Sequence, residues 1–216
     1  MESGYFRILI GFDERTGRER GHAIDSCFMA DLKVQLKELQ ELAVKMEQLL
    51  PQVEALLPLF TSCFQKGNTV FACGNGGSAS DALHLCEELV GRYRSNRRAL
   101  PAVCLNADVT AITCIANDWN FDHVYARQLE ALGKAGDILV AFSTSGNSGN
   151  ILQALGTAKA KGLFTILLTG KDGGKGKAMA DYTLVIPSSN TARIQEIHTW
   201  LLHVIMEEIE EQFPAV

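Results

Sequence analysis

Five short apolar runs, at 69–73, 102–105, 137–142, 164–169 and 182–186, punctuate the second two thirds of the chain. Each gives way to a turn rich in Gly, Ser, Asn or Asp, and helical patterns fill the gaps between them. A strand with one wet face alternates apolar and polar residues. These runs stay apolar on successive positions, so both of their faces must be covered. Strands that alternate with helices and are covered on both sides imply a five-stranded parallel sheet with right-handed crossovers, a three-layer doubly wound α/β fold of the Rossmann-like kind. Ligands of such sheets bind beyond the carboxyl ends of the strands, so the residues just after each run carry the functional argument.

Ahead of the first run, apolar residues recur every three or four positions at Leu32, Leu36, Leu39, Ala43, Met46 and Leu50, which predicts one apolar helical face over residues 31–50. Pro51 suits the first turn of a second helix over 51–66, and Pro58 inside it is expected to kink it. Residues 1–28 do not fit this periodicity and read as an extension that packs poorly, leaving 29–216 as a single domain with N-terminal helices.

Composition narrows the class. The 216 residues are 47% apolar and 21% charged with a net charge of −5, which offers no basic field for nucleic acid. The densest basic stretch, Arg92 to Arg98, is short and reads as a solvated loop or an anion contact. No apolar stretch reaches the roughly 18 residues needed to cross a bilayer, and Tyr5 to Phe12 contains Arg7 and lacks the form of a secretory signal. Cys27, Cys63, Cys73, Cys86, Cys104 and Cys114 show no C-x-x-C pair and lie mostly in apolar runs, as buried thiols of a reducing compartment would. A cytoplasmic protein without a membrane partner is expected.

Two turns stand out. The first strand ends in Gly74-Asn75-Gly76-Gly77-Ser78-Ala79, where glycines let backbone N–H groups approach a ligand and a helix N-terminus favours an anion. Read literally, Gly74, Gly76 and Ala79 also match a dinucleotide fingerprint, but that reading wants an acidic residue at the end of the next strand, and Asp108 comes late. The third strand ends in Ser143-Thr144-Ser145-Gly146-Asn147-Ser148. One hydroxyl caps a helix; four can surround a phosphate.

Acid/base and metal candidates lie on the helices. His84 and Glu88 are spaced i, i+4 and share a face, either as potential ligands or as an exposed ion pair. Gln195 and His203 lie eight apart on the last helix, about 12 Å along its axis and roughly 80° around it, so one ion reaches both only from between them. His22, His123 and His198 read as structural residues, and Asn117-Asp118 as a helix-ending turn.

Strand–G-N-G-G-S–helix followed by strand–S-T-S-G-N-S–helix resembles the sugar-isomerase (SIS) domain. Over roughly Leu50 to Phe213 the chain is similar to the phosphoheptose isomerases, through His84-Leu85-Cys86-Glu87-Glu88-Leu89, Gly91-Arg92-Tyr93, Asn117-Asp118, the segment Leu168 to Gly174, and Arg193-Ile194-Gln195-Glu196-Ile197-His198. The resemblance implies one zinc per subunit on His84, Glu88, Gln195 and His203, with Glu88 as base and His203 as acid. It implies that Asn75, Gly76, Gly77, Ser78, Glu88, Asn117, Asp118 and Gln195 contact the sugar, and that Ser143, Thr144, Ser145 and Ser148 cradle its phosphate. It further implies a homotetramer with sites at subunit interfaces, and conversion of sedoheptulose 7-phosphate to D-glycero-D-manno-heptose 7-phosphate through an enediol for heptose and lipopolysaccharide precursors. The chain departs from some relatives in carrying Ala192 where they carry Asp. The alternatives are a non-enzymatic SIS protein that binds the replication initiator DnaA, a type that lacks the Glu and the second His, and a sugar-phosphate-sensing regulator.

Overall fold

The computed structural model describes residues 31–213 together with two short strands, β1 (Phe12–Asp13) and β2 (Arg18–Glu19). The chain divides into two compact units, Met1–Glu38 and Leu39–Val216. In the first, β1 and β2 pair antiparallel, Phe12 opposite Glu19. The remainder of the expected 1–28 extension, with Cys27 and His22, lies outside the described residues. Helix α1 (Leu32–Met46) is opened by Asp31, whose Oδ1 accepts the N–H groups of Lys33 and Val34 at 3.0 and 3.2 Å.

The second unit is built on five parallel strands, β3 (Val70–Gly74), β4 (Ala102–Cys104), β5 (Ile138–Ser143), β6 (Phe164–Thr169) and β7 (Tyr182–Val185), in the order β4-β3-β5-β6-β7. Each falls within a residue or so of its expected run. The chain steps outward from β3 to β4, then returns across β3 to β5, so the winding reverses between β3 and β5. The carboxyl ends of those two strands form the crevice that an open sheet offers a ligand.

Strand residues serve two cores in alternation. Val70, Ala72, Val140, Phe142 and Leu168 pack with helices α2 (Leu50–Gln65), α3 (Gly77–Val90) and α7 (Thr191–Gln212). Phe71, Cys73, Leu139, Ala141 and Leu167 pack under α4 (Val109–Asp118), α5 (Ala126–Leu132) and α6 (Gly149–Ala160). That two-sided burial is why the strands read as continuous apolar runs.

Of the six residues of the apolar stripe from Leu32 to Leu50 only Met46 is buried, Leu32 and Leu36 are exposed, and the other buried residue of α1 is Leu42, so most of the expected apolar face is left uncovered by this chain. A 3-10 turn at Glu47–Leu49 also ends α1 before Leu50, which instead opens α2. Helix α2 carries Pro58 inside its span and buries Val53, Leu56, Phe60, Cys63 and Phe64. The Arg92–Arg98 stretch is the expected loop, with Arg92, Arg94 and Arg98 exposed, and it is tied to the helices beside it. Arg97 donates to the carbonyls of Glu88 and Leu89, which have no helical partner beyond the end of α3, and Arg94 pairs with Glu207 at 2.7 Å. Four of the five described cysteines are buried and Cys114 is exposed. Among the described residues no helix is long and apolar enough to cross a membrane.

Candidate functional site

A cavity of about 240 Å³ lies at the opposite end of the sheet, but the chemistry gathers in one of about 340 Å³ at the β3/β5 crevice. Asn75, Gly77 and Ser78 line it from the glycine turn, Phe142, Ser143, Thr144, Ser145 and Ser148 from the hydroxyl turn, and Thr191 and Gln195 from the start of α7. The first turns of three helices, α3, α6 and α7, therefore face one space, and each brings the positive end of its dipole. An anion is the ligand such a space favours. Ser148 occupies the N-cap of α6 yet makes no side-chain cap hydrogen bond. Ser143 Oγ accepts the Gly146 N–H at 3.1 Å and so shapes the turn itself. Glycine is required at 146, where φ is +62° and a Cβ would stand 2.0 Å from the Gly173 carbonyl oxygen. Thr191, which lines the cavity, carried no signal in the sequence beyond its place at a helix start.

A second cluster lies further along α3. His84 Nε2 is 3.3 Å from Glu88 Oε1, and donor atoms of His84, Glu88 and His203 all fall within 4.8 Å of one another. His203 is held by rings on both sides, edge-on to His84 at 5.1 Å between centroids and stacked on Tyr93 at 5.6 Å. Arg94 lies over the Tyr93 ring, 4.8 Å from its centroid. The Glu88 side chain is 13% exposed and that of His84 34%, so the pair is half-buried and not fully solvated. Two ligands about 2.0–2.1 Å from one tetrahedral zinc stand roughly 3.3 Å apart, and two imidazoles with a carboxylate are a donor set zinc accepts. The three residues fit a metal ion.

Gln195 stands apart from them. Its Nε2 donates to Ser78 Oγ at 3.4 Å, and its amide lies against Gly77, where a Cβ would come 2.7 Å from that nitrogen. Asn117 and Asp118 end α4 exposed, bonded to each other at 2.9 Å, and do not line the cavity. Gly76 holds φ +56° at the turn into α3. Asp108, the acidic residue a nucleotide site would have used, caps α4 by accepting the Ala111 N–H at 2.9 Å. Arg193 is almost buried and pairs with Glu196.

Residues not singled out from the sequence complete the surroundings. Asn106, Tyr125 and Asn150 bond to Gly74 and Asn75 beneath the glycine turn. Between α3 and α7, Asp81 and His198 are buried with Oδ2 and Nδ1 3.9 Å apart. Burial pushes the Asp81 carboxyl up to about 6, against a smaller lowering by the Thr199 hydroxyl, and pushes His198 down to about 4.

The SIS domain family matches residues 36–170. A phosphoheptose isomerase of Fusobacterium nucleatum is 45% identical over 178 residues, 82% of this chain and 91% of that protein. One of Vibrio cholerae is 48% identical over 162 residues, 74% and 84% of the two chains. The structure of a phosphoheptose isomerase from Neisseria gonorrhoeae superposes with a TM-score of 0.79 at 40% identity, covering 83% of this chain and 96% of that one. The chain therefore belongs to the SIS domain family and, within it, to the phosphoheptose isomerases.

Proposed function

We propose that this protein is an aldose–ketose isomerase that converts sedoheptulose 7-phosphate to D-glycero-D-manno-heptose 7-phosphate. One observation carries the reading: three helix N-termini and a hydroxyl turn converge on a single cavity, with an acid/base cluster further down the same helix. Ser78 and His84 are separated by about 9 Å of rise along α3. The six carbon–carbon bonds from C7 to C1 of an extended heptulose span roughly 7 Å at the reach of an extended chain. A phosphate seated at the crevice thus leaves C1 and C2 in the region of His84 and Glu88.

The reaction moves one proton from C1 to C2 and one between the two oxygens. In the proposal Glu88 takes the proton from C1 as the enediol forms, and His203 supplies and accepts protons at the sugar oxygens. The rings of Tyr93 and His84 fix the His203 imidazole in place. Ser143, Thr144, Ser145 and Ser148 hold the phosphate end, while Asn75, Gly77, Ser78 and Gln195 border the sugar. His84, Glu88 and His203 would hold one zinc per subunit, with Gln195 as the fourth donor that family resemblance supplies. A bound zinc contributes Lewis acidity toward the sugar's oxygens.

A homotetramer belongs to the proposal. Large apolar side chains remain exposed on one chain, among them Leu36, Val44, Trp119 and Trp200. Asn117 and Asp118, exposed and outside this chain's own cavity, join the site at the subunit boundary.

The test is Glu88→Gln, which keeps size and removes the base. Isomerisation should fall by about 10²–10⁴-fold, while the protein stays folded and still binds inorganic phosphate. Undiminished turnover would remove Glu88 from the chemistry.

A further inference from the structure

Parallel pairing of β3 with β5 ends at Gly74–Phe142, and its pairing with β4 ends at Ala72–Cys104, with one more backbone bond from Leu105 N–H to Ala72 O. Past those points the strand exits diverge, and no backbone ladder fixes the glycine turn against its neighbours. Side-chain amides take over. On the β4 side, Asn106 pairs with Gly74 as a strand would: its Oδ1 accepts the Gly74 N–H at 3.2 Å and its Nδ2 donates to the Gly74 carbonyl at 2.9 Å. On the β5 side, Asn75 and Asn150 form a reciprocal amide pair, at 2.9 Å in one direction and 2.8 Å in the other. Tyr125 joins the two halves. Its hydroxyl accepts from Asn106 Nδ2 at 2.8 Å and lies 2.5 Å from the Gly74 carbonyl and 3.1 Å from Asn75 Oδ1.

Tyr125 and Asn150 are 2% and 1% exposed, so neither meets solvent or ligand. A buried polar network is costly unless satisfied, and apart from the Asn106–Tyr125 link the bonds of this one end on Gly74 and Asn75, the two residues that open the glycine turn. Asn150 sits in the first turn of α6, just past Ser148, so the pair ties the glycine turn to the hydroxyl turn.

We propose that Asn106, Tyr125 and Asn150 are positioning residues: they lock the glycine and hydroxyl turns into one phosphate cradle, with the Asn75 side chain serving as the tie between the turns. The proposal rests on the reading that the crevice takes a phosphate.

The experiment uses the full chain with Asn150→Leu, Tyr125→Phe and Asn75→Leu. Affinity for inorganic phosphate is measured by titration calorimetry, KM and kcat with sedoheptulose 7-phosphate, and the melting temperature in parallel. Asn150→Leu removes both bonds of the reciprocal pair and should weaken phosphate binding about tenfold or more, and raise KM by a similar factor with kcat changed less than about threefold. Adding Asn150→Leu to Asn75→Leu should have little further effect, because the two shared bonds are already gone. Tyr125→Phe, nearly isosteric, repeats the test where Asn150→Leu fails to fold. Unchanged phosphate affinity in either variant, whatever its melting temperature, overturns the proposal, as do fully additive losses in the double variant. Wild-type protein that binds phosphate without turning over the sugar would end the functional reading and leave the cradle; wild-type protein that binds no phosphate would end both.

Discussion

Asp81 and His198 show how burial, as the largest influence, tunes charge beside the acid/base cluster. Asp81 Oδ1 accepts the Thr199 hydroxyl at 3.1 Å, its Oδ2 has no hydrogen-bond partner, and the His198 ring packs on Phe142. Their effects on stability oppose each other. Asp81, raised from 3.8 to about 6, contributes stability that is present below the unfolded value and lost as pH rises through about 6. His198, lowered from 6.5 to about 4, contributes stability that is present above the unfolded value and lost as pH falls through about 4. Between about pH 4 and 6 the two partly cancel. Asp81→Asn should therefore give an unfolding free energy that climbs more steeply from pH 4 to 6.5 than the wild type's, measured by urea denaturation at a series of pH values. Equal slopes would show that Asp81 does not titrate as its burial demands. The sequence marks His198 as structural, and its complete burial agrees; it gives no hint of Asp81, because the pairing exists only when α3 and α7 pack.

Among the elements, the strands were the most legible and α1 the least. A parallel strand in a three-layer fold is buried on both faces within its own chain, so its apolar run reports its fate directly. A helix stripe reports only that something must cover it. Leu39, Ala43 and Met46 of α1, with Ile197 and Trp200 of α7, line a groove of about 420 Å³ that this chain leaves open. Light scattering after gel filtration should give four chain masses for the wild type. Ala43→Glu, which places a charge in that groove, should give smaller species. A wild type that elutes as a single chain would contradict the proposed tetramer.

Across the whole molecule, the phosphate end of the site was largely readable and the sugar end only in part. Ser143 to Ser148 and the glycine turn are local signals, since hydroxyls and glycines at strand exits suit an anion wherever the fold places them. His84 with Glu88 is local too, four residues apart on one helix. His203 joins them from 115 residues away, and only the packing of α3 on α7 shows it. Asn106, Tyr125 and Asn150 were silent for the same reason: an amide is an unremarkable loop or cap residue until a partner 75 positions distant is known. Gln195, implied as a fourth ligand, rests instead against Ser78. In the proposed reaction one cavity holds the phosphate while Glu88 and His203 work on C1 and C2. Product analysis after incubating the purified protein with sedoheptulose 7-phosphate, with added zinc and after exhaustive chelation, tests that reaction. D-glycero-D-manno-heptose 7-phosphate should form in the presence of zinc, and chelation should abolish turnover until zinc is restored. Unchanged sedoheptulose 7-phosphate under every condition would rule the reaction out.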